Sequence, residues 1–109
     1  MAVLKVFWTE TAIKQRDLIF EYWNNRNKNT EYSKKLQLRI KKNLQILQTQ
    51  PNLGKKSDVD EIRCLVLGYY SILYKSDNKQ IIIISFWDNR QSPEKLFELL
   101  KNNSKFVPH

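Results

Sequence analysis

The chain of 109 residues has few of the side chains that carry covalent or acid–base chemistry in many proteins. It has one cysteine, Cys64, so no disulfide can form within the chain, and its apolar neighbours predict a small buried side chain there. Its one histidine, His109, ends the sequence, which excludes a mechanism that uses two histidines of one chain. With only two glycines and three prolines, a loop-rich or low-complexity chain is also excluded.

Long apolar runs are missing as well. The longest wholly apolar stretch, residues 81–84, is far too short to cross a bilayer, and the first five residues lack the pattern of a signal peptide. We therefore expect a cytoplasmic protein with no membrane partner. No group of histidine, cysteine and aspartate residues has the spacing of metal ligands, so we expect neither a metal nor another cofactor.

What the chain does contain is apolar side chains and positive charge. Hydrophobic residues make up 41% of it, enough for one compact core in a single domain. The net charge is +8, and residues 28–57 hold eight lysines and arginines against the single carboxylate of Glu31. A block of one sign indicates either an anionic partner or a solvated helix face, and charge alone does not decide between them.

The pattern of apolar residues predicts the order β-α-α-β-β-β-α. A four- and three-residue spacing from Tyr32 to Leu47 indicates the buried face of the second helix, which Pro51 ends. The predicted bounds are a strand at 3–8, a helix from the cap Thr9 to about 25, a helix that Thr30 caps, a loop at 51–58, strands at 62–67, 70–75 and 80–87, a helix at 94–101 and a tail at 102–109.

These elements predict a small α+β domain over residues 1–101. The strand at 80–87 is almost entirely apolar and should be central in a mainly antiparallel sheet. The two long helices should form an antiparallel hairpin that covers one face of this sheet, because so few strands need a partner for their apolar side.

Three stretches, in this order, resemble toxins of the RelE/ParE superfamily, which belong to type II toxin–antitoxin (plasmid stabilisation) systems. They are Gln-Pro-Asn-Leu-Gly-Lys at 50–55, Ile-Arg-Cys-Leu-Val-Leu-Gly-Tyr-Tyr-Ser-Ile-Leu-Tyr at 62–74, and Ile-Ser-Phe-Trp-Asp-Asn-Arg-Gln-Ser-Pro-Glu-Lys-Leu at 84–96. The resemblance extends over about residues 1–100. It implies the fold just described and a cognate antitoxin that wraps and silences the toxin, through which oligomers would form.

The resemblance implies one of two cellular targets. RelE-like members cleave ribosome-bound messenger RNA, and the resemblance then implies catalytic roles for Lys55, Lys56, Arg63 and Arg90. The two arginines would hold phosphate and a lysine would act as base, in an endoribonuclease that needs no metal. ParE-like members instead bind DNA gyrase without chemistry of their own. A third reading is a degenerate member that binds its antitoxin but is no longer toxic.

Several of these residues also have a purely structural interpretation. Arg63 could pair with Glu61 or Asp88, and Arg90 could pair with Asp88 in a turn. Where the resemblance implies a catalytic tyrosine, the chain has Phe97, which lacks the hydroxyl. This departure weakens the nuclease interpretation.

The long second helix and its basic residues favour a ParE-like encounter with a protein or DNA. Its predicted nucleic-acid-binding residues are Lys34, Lys35, Arg39, Lys41 and Lys42. We further expect an acidic, partly disordered antitoxin segment to fold onto an apolar groove beside the hairpin and the sheet.

Overall fold

A computed structural model describes residues 3–102, in which three helices pack on one five-stranded sheet. The elements are β1 (Lys5–Trp8), α1 (Glu10–Asn27), α2 (Glu31–Thr49), β2 (Lys55–Lys56), β3 (Arg63–Leu67), β4 (Tyr70–Ser76), β5 (Gln80–Asp88) and α3 (Pro93–Asn102). The α+β class and the order of the predicted elements are confirmed. Most of the predicted tail, including His109, lies outside the described residues.

The sheet has the strand order β1-β5-β4-β3-β2. The first strand, β1, runs parallel to β5, and the other neighbouring pairs are antiparallel. β5 has a strand on each side, and its apolar side chains are buried on both faces because helices cover both faces of the sheet. The predicted central position of this strand is therefore correct.

The loop predicted at 51–58 is wrong in its middle, where β2 forms an edge strand. Lys55 pairs with Cys64 and Lys56 pairs with Arg63 in the antiparallel register. Two exposed lysines carry no alternation of apolar and polar residues, so the sequence pattern gives no sign of this strand. Lysine is nevertheless common at sheet edges, where it opposes pairing with other chains.

Side chains alternate between the two faces of the sheet and build a core on each. The helical hairpin covers one face, where Tyr70, Ile72 and Tyr74 of β4 are almost fully buried. The short helix α3 covers the other face, where its Leu100 packs with Leu73, among others, of the sheet.

The hairpin turn is shorter than the sequence predicts, because α1 continues to Asn27 and ends at Lys28 in the left-handed conformation, with φ at 58°. Asn24, expected in the turn, lies inside the helix. Its side-chain oxygen and the carbonyl oxygen of Phe20 lie 2.6 and 3.1 Å from the Ser33 hydroxyl oxygen and share its one hydrogen. One buried serine of α2 thus fixes the two helices against each other.

The two predicted helix caps differ in outcome. Thr9 caps α1 as expected: its hydroxyl oxygen accepts a hydrogen bond of 3.2 Å from the amide of Ala12. Thr30 precedes α2, but its side chain caps nothing, because its backbone does not have the extended conformation that directs a cap inward. Asn29 takes this role, and its side-chain oxygen accepts a hydrogen bond of 3.1 Å from the amide of Glu31.

Candidate functional site

At one corner of the sheet, Arg63 and Tyr74 hold the loop that precedes β2. The two residues lie opposite each other in the β3–β4 pairing. The Arg63 guanidinium donates to the carbonyl oxygens of Gly54 at 2.7 Å and Asn52 at 3.3 Å. The Tyr74 hydroxyl accepts from the Gly54 amide at 2.8 Å and donates to the carbonyl oxygen of Pro51 at 2.8 Å. These four bonds form the loop clamp, the name used below for Arg63, Tyr74 and the carbonyl and amide groups they hold.

The loop clamp accounts for the glycine at position 54. A Cβ atom there would lie 2.6 Å from the hydroxyl oxygen of Tyr74, so any other residue would displace this buried ring. Burial also raises the pKa of Tyr74, which keeps its hydroxyl protonated and able to donate. Arg63 thus has a structural task, and it pairs with neither Glu61 nor Asp88, which were its expected alternative partners.

The two predicted catalytic lysines, Lys55 and Lys56, are neighbours on β2 and therefore point to opposite faces of the sheet. Lys56 lies opposite Arg63 in the register, and Lys55 lies opposite Cys64. Both lysines are exposed. Only Lys56 therefore shares a face with Arg63.

At the end of β5, Arg90 forms a two-pronged ion pair with Asp88. Its Nε and Nη2 atoms donate to the two carboxylate oxygens at 3.0 and 2.8 Å, and its amide donates to the same carboxylate at 2.9 Å. These bonds from Arg90 lower the pKa of Asp88, and the carboxylate raises the pKa of Arg90. The guanidinium also lies 5.5 Å from the centre of the Tyr69 ring.

The structure does not bring the four predicted catalytic residues together. Arg63 lies opposite Tyr74 of β4, and Asp88, the partner of Arg90, lies opposite Tyr70. These two positions are four residues apart along the strand, a distance of about 13 Å. In the structure, each arginine is bound to a partner of its own: Arg63 to the loop before β2 and Arg90 to Asp88.

Phe97, which replaces the tyrosine that the resemblance implies, lies on α3 and is 43% exposed. The ammonium group of Lys101 lies 5.2 Å from the centre of its ring. At this position the chain can offer an aromatic face but no hydroxyl for proton transfer.

A large apolar groove of about 710 Å³ runs between α1, α2 and the edge strand β1. Apolar side chains form its walls, and three cations lie along it. The apolar residues are Val6, Trp8, Phe20, Leu38, Ile40 and Leu44, and the cations are Arg16, Lys34 and Lys41. Arg16 is fixed over the Trp8 ring at 4.7 Å, so one positive charge is held at the apolar wall.

The five basic residues of α2 that were predicted to bind nucleic acid fall on two sides of the helix. Lys34 and Lys41 line the groove. Lys35, Arg39 and Lys42 lie on the far side of the helix, at three- and four-residue spacing. Arg39 reaches the β3–β4 turn, where its guanidinium would lie 3.4 Å from a Cβ atom at Gly68.

Within residues 3–102, no group of three or more histidine, cysteine, aspartate and glutamate side chains is arranged to hold a metal ion. In the same part of the chain, no helix has both the length and the apolar character of a membrane span.

Comparison with known proteins assigns the family. The family model of the ParE toxin of the type II toxin–antitoxin system parDE matches residues 6–93. The chain belongs to the ParE toxin family. It is therefore a toxin of the type II class, which implies an antitoxin as its partner, and the resemblance seen in the sequence is confirmed.

A solved structure agrees with this assignment at the level of the fold. This ParE family member is similar to a chain of the chromosomal ParDE TA system from P. aeruginosa, with a TM-score of 0.67 and 22% identity. The match covers 79% of this chain and 96% of that one. No curated protein matches the sequence.

The residues that line two surface features of this ParE toxin could not be listed from the sequence, although an apolar groove beside the hairpin was expected. The groove combines residues of three elements, from Val6 to Gln48, and only the packing of the hairpin on β1 brings them together. A smaller cavity of about 240 Å³ lies on the other flank of α1, where Leu18 and Tyr22 face Arg90. The exposed apolar residues at 18 and 22 are the one sequence signal for this cavity, since they lie one turn apart on a helix.

Proposed function

We propose that this ParE toxin inhibits growth by binding DNA gyrase as a folded protein surface, without chemistry of its own. The observation that carries the proposal is the dispersal of the four basic residues that a nuclease would need. Arg63 holds a loop, Arg90 is neutralised by Asp88, and Lys55 and Lys56 point to opposite faces.

Cleavage of RNA by its own 2′ hydroxyl requires a stricter arrangement of side chains than binding to a protein does. A base, a positive charge and an acid must all lie within hydrogen-bond reach of one phosphate. The positions of Arg63 and of Asp88, the partner of Arg90, are about 13 Å apart along β4, which is unfavourable to that arrangement. Binding to a large protein needs no such convergence, and the net charge of +8 would speed the encounter with an acidic surface.

The test is an assay of DNA supercoiling by purified gyrase at rising concentrations of the full-length toxin. We expect supercoiling to fall and a covalent gyrase–DNA complex to accumulate. A parallel assay uses ribosomes programmed with message. Unchanged supercoiling together with message cleavage that Arg63→Ala abolishes would reverse the proposal and favour the nuclease. If neither target responds and induction leaves growth unaffected, the chain is a degenerate member.

The groove between α1, α2 and β1 is the surface that we assign to the antitoxin. Its apolar walls suit an amphipathic segment, and Lys34 and Lys41 suit carboxylates on the same segment. An acidic, partly disordered segment would become ordered as it buries its apolar side chains there. Oligomers of the toxin would then form through the antitoxin, and we place the pair in the cytoplasm.

A further inference from the structure

A second surface, on the flank of α1 that faces away from the groove, combines exposed tyrosine rings with guanidinium groups. We call it the tyrosine–arginine surface and define it by Tyr22, Arg26, Arg39, Tyr69 and Arg90. Tyr22 and Tyr69 are 52% and 62% exposed, although tyrosines carry apolar rings that are usually covered in part.

The two exposed rings are held in place from behind. The Tyr22 ring packs edge-on against Trp23 at 5.2 Å, and the Trp23 indole donates a hydrogen bond of 2.7 Å to the buried Tyr70 hydroxyl. The Tyr69 ring lies under Arg90, which Asp88 fixes with two hydrogen bonds. Tyr22, Trp23, Tyr70 and Arg90 line the cavity of about 240 Å³, so Tyr22 and the guanidinium that lies over Tyr69 border the same space. Rings held in this way lose little freedom when a flat ligand stacks on them.

Guanidinium groups lie beside both rings. Arg26 donates to the Tyr22 hydroxyl at 3.4 Å and lies 5.3 Å from the centre of the Trp23 ring. Arg39 packs against Gly68, the residue before Tyr69. Among the described residues, neither Arg26 nor Arg39 has a carboxylate within ion-pair distance.

The charge of this surface is therefore positive. Asp88 is the one carboxylate among the residues that line the cavity, and Arg90 already neutralises it. The charges of Arg26 and Arg39 remain available to an anionic ligand. Exposed rings next to available cations match a polymer in which flat bases alternate with phosphates.

We propose that the tyrosine–arginine surface binds single-stranded nucleic acid. Bases stack on Tyr22 and Tyr69, and phosphates bind the guanidiniums of Arg26 and Arg39. A duplex hides the faces of its bases and can offer only phosphates, so we expect it to bind more weakly. This binding activity goes beyond the proposed binding of gyrase, and the toxin needs no other protein for it.

The test titrates full-length toxin into three labelled nucleic acids and measures their fluorescence anisotropy. They are an oligo-dT of about 16 nucleotides, an oligo-rU of the same length and a DNA duplex. We expect both single strands to bind more tightly than the duplex and binding to weaken as salt rises. A preference between oligo-dT and oligo-rU shows whether the surface favours the DNA strand or the RNA strand, and either preference supports the proposal.

The double variant Tyr22→Leu/Tyr69→Leu keeps apolar bulk but removes both stacking faces. We expect it to weaken binding of oligo-dT by about 5- to 100-fold. Arg26→Gln should also weaken binding, whereas Lys41→Gln, the same change of charge in the groove, should have a much smaller effect. The replaced tyrosines are exposed, and thermal unfolding of each variant verifies that the fold is intact.

Three results would overturn the proposal. The first is no binding of oligo-dT at low salt. The second is an equal loss for Arg26→Gln and Lys41→Gln, which would indicate attraction to the net charge alone. The third is a tyrosine double variant that binds oligo-dT as tightly as the wild type, which would show that no base stacks on these rings. Since the toxin is tested without gyrase, failure of the gyrase proposal leaves these outcomes readable.

Discussion

Tyr74 lies in an apolar strand, but its hydroxyl forms long-range hydrogen bonds at the corner of the sheet. Its hydroxyl serves both as acceptor for the Gly54 amide and as donor to the Pro51 carbonyl. Phenylalanine would fill the same space but leave a buried amide without a partner, and such a loss costs more than the net value of the bond.

We therefore predict that Tyr74→Phe lowers the free energy of unfolding by about 1–3 kcal/mol, as measured by urea denaturation. Tyr69→Phe is the matched control, because that ring is exposed, and it should change stability by less than about 0.5 kcal/mol. Equal stability of the two variants would show that the loop clamp contributes nothing measurable.

Asp88 provides a prediction on pH. Its pKa is lowered in the folded protein by the hydrogen bond from Arg90, so folding favours the charged carboxylate. This contribution is fully present above the ordinary aspartate pKa of about 3.9 and is lost as pH falls through the lower folded value. We expect the stability difference between wild type and Asp88→Asn to be constant near neutral pH and to shrink below about pH 4. A difference that grows on acidification would contradict this assignment.

At the scale of elements, the two threonines that precede α1 and α2 make a matched pair. The Thr9 hydroxyl accepts from Ala12 and also donates to the Ile83 carbonyl of β5 at 2.9 Å, whereas the Thr30 side chain caps nothing. We predict that Thr9→Ala costs about 0.5–2 kcal/mol of stability and that Thr30→Ala costs much less. Urea denaturation of both variants measures the two losses of stability. A larger loss for Thr30→Ala than for Thr9→Ala would contradict the prediction.

The elements themselves were largely predictable, and the reasons lie in particular residues. The spacing of Tyr32, Leu36 and Ile40 and the stop at Pro51 defined α2, and the apolar sequence of β5 fixed its central place. The strand β2 was not predictable, because two exposed lysines have no apolar period. Hydrogen bonds between residues far apart in the sequence were not predictable either, so the roles of Arg63 and Tyr74 in the loop clamp could not be read from the sequence.

At the scale of the whole molecule, the packing separates the positive charge of α2 into two sides. Lys34 and Lys41 face the groove assigned to the antitoxin, and Lys35 and Lys42 face away from it. In the sequence these residues form one block of charge and were predicted as one site, since such a block does not reveal which faces of a helix remain open.

This division predicts the outcome of charge reversal. Lys34→Glu/Lys41→Glu should weaken antitoxin binding by about tenfold or more, because like charges then meet across the groove. Lys35→Glu/Lys42→Glu makes the same change of net charge on the other side of α2 and should leave the affinity nearly unchanged. Calorimetric titration with the cognate antitoxin compares the two. An equal loss would mean that net charge, rather than the groove, attracts the antitoxin.

We propose that this ParE toxin acts on gyrase by binding and without catalysis. The most direct measurement is gyrase supercoiling with wild-type toxin and with Lys55→Ala/Lys56→Ala, which removes both lysines that a nuclease would use. We predict that supercoiling falls with rising toxin and that the variant inhibits as strongly as the wild type. Full supercoiling at every concentration of wild-type toxin would contradict the account.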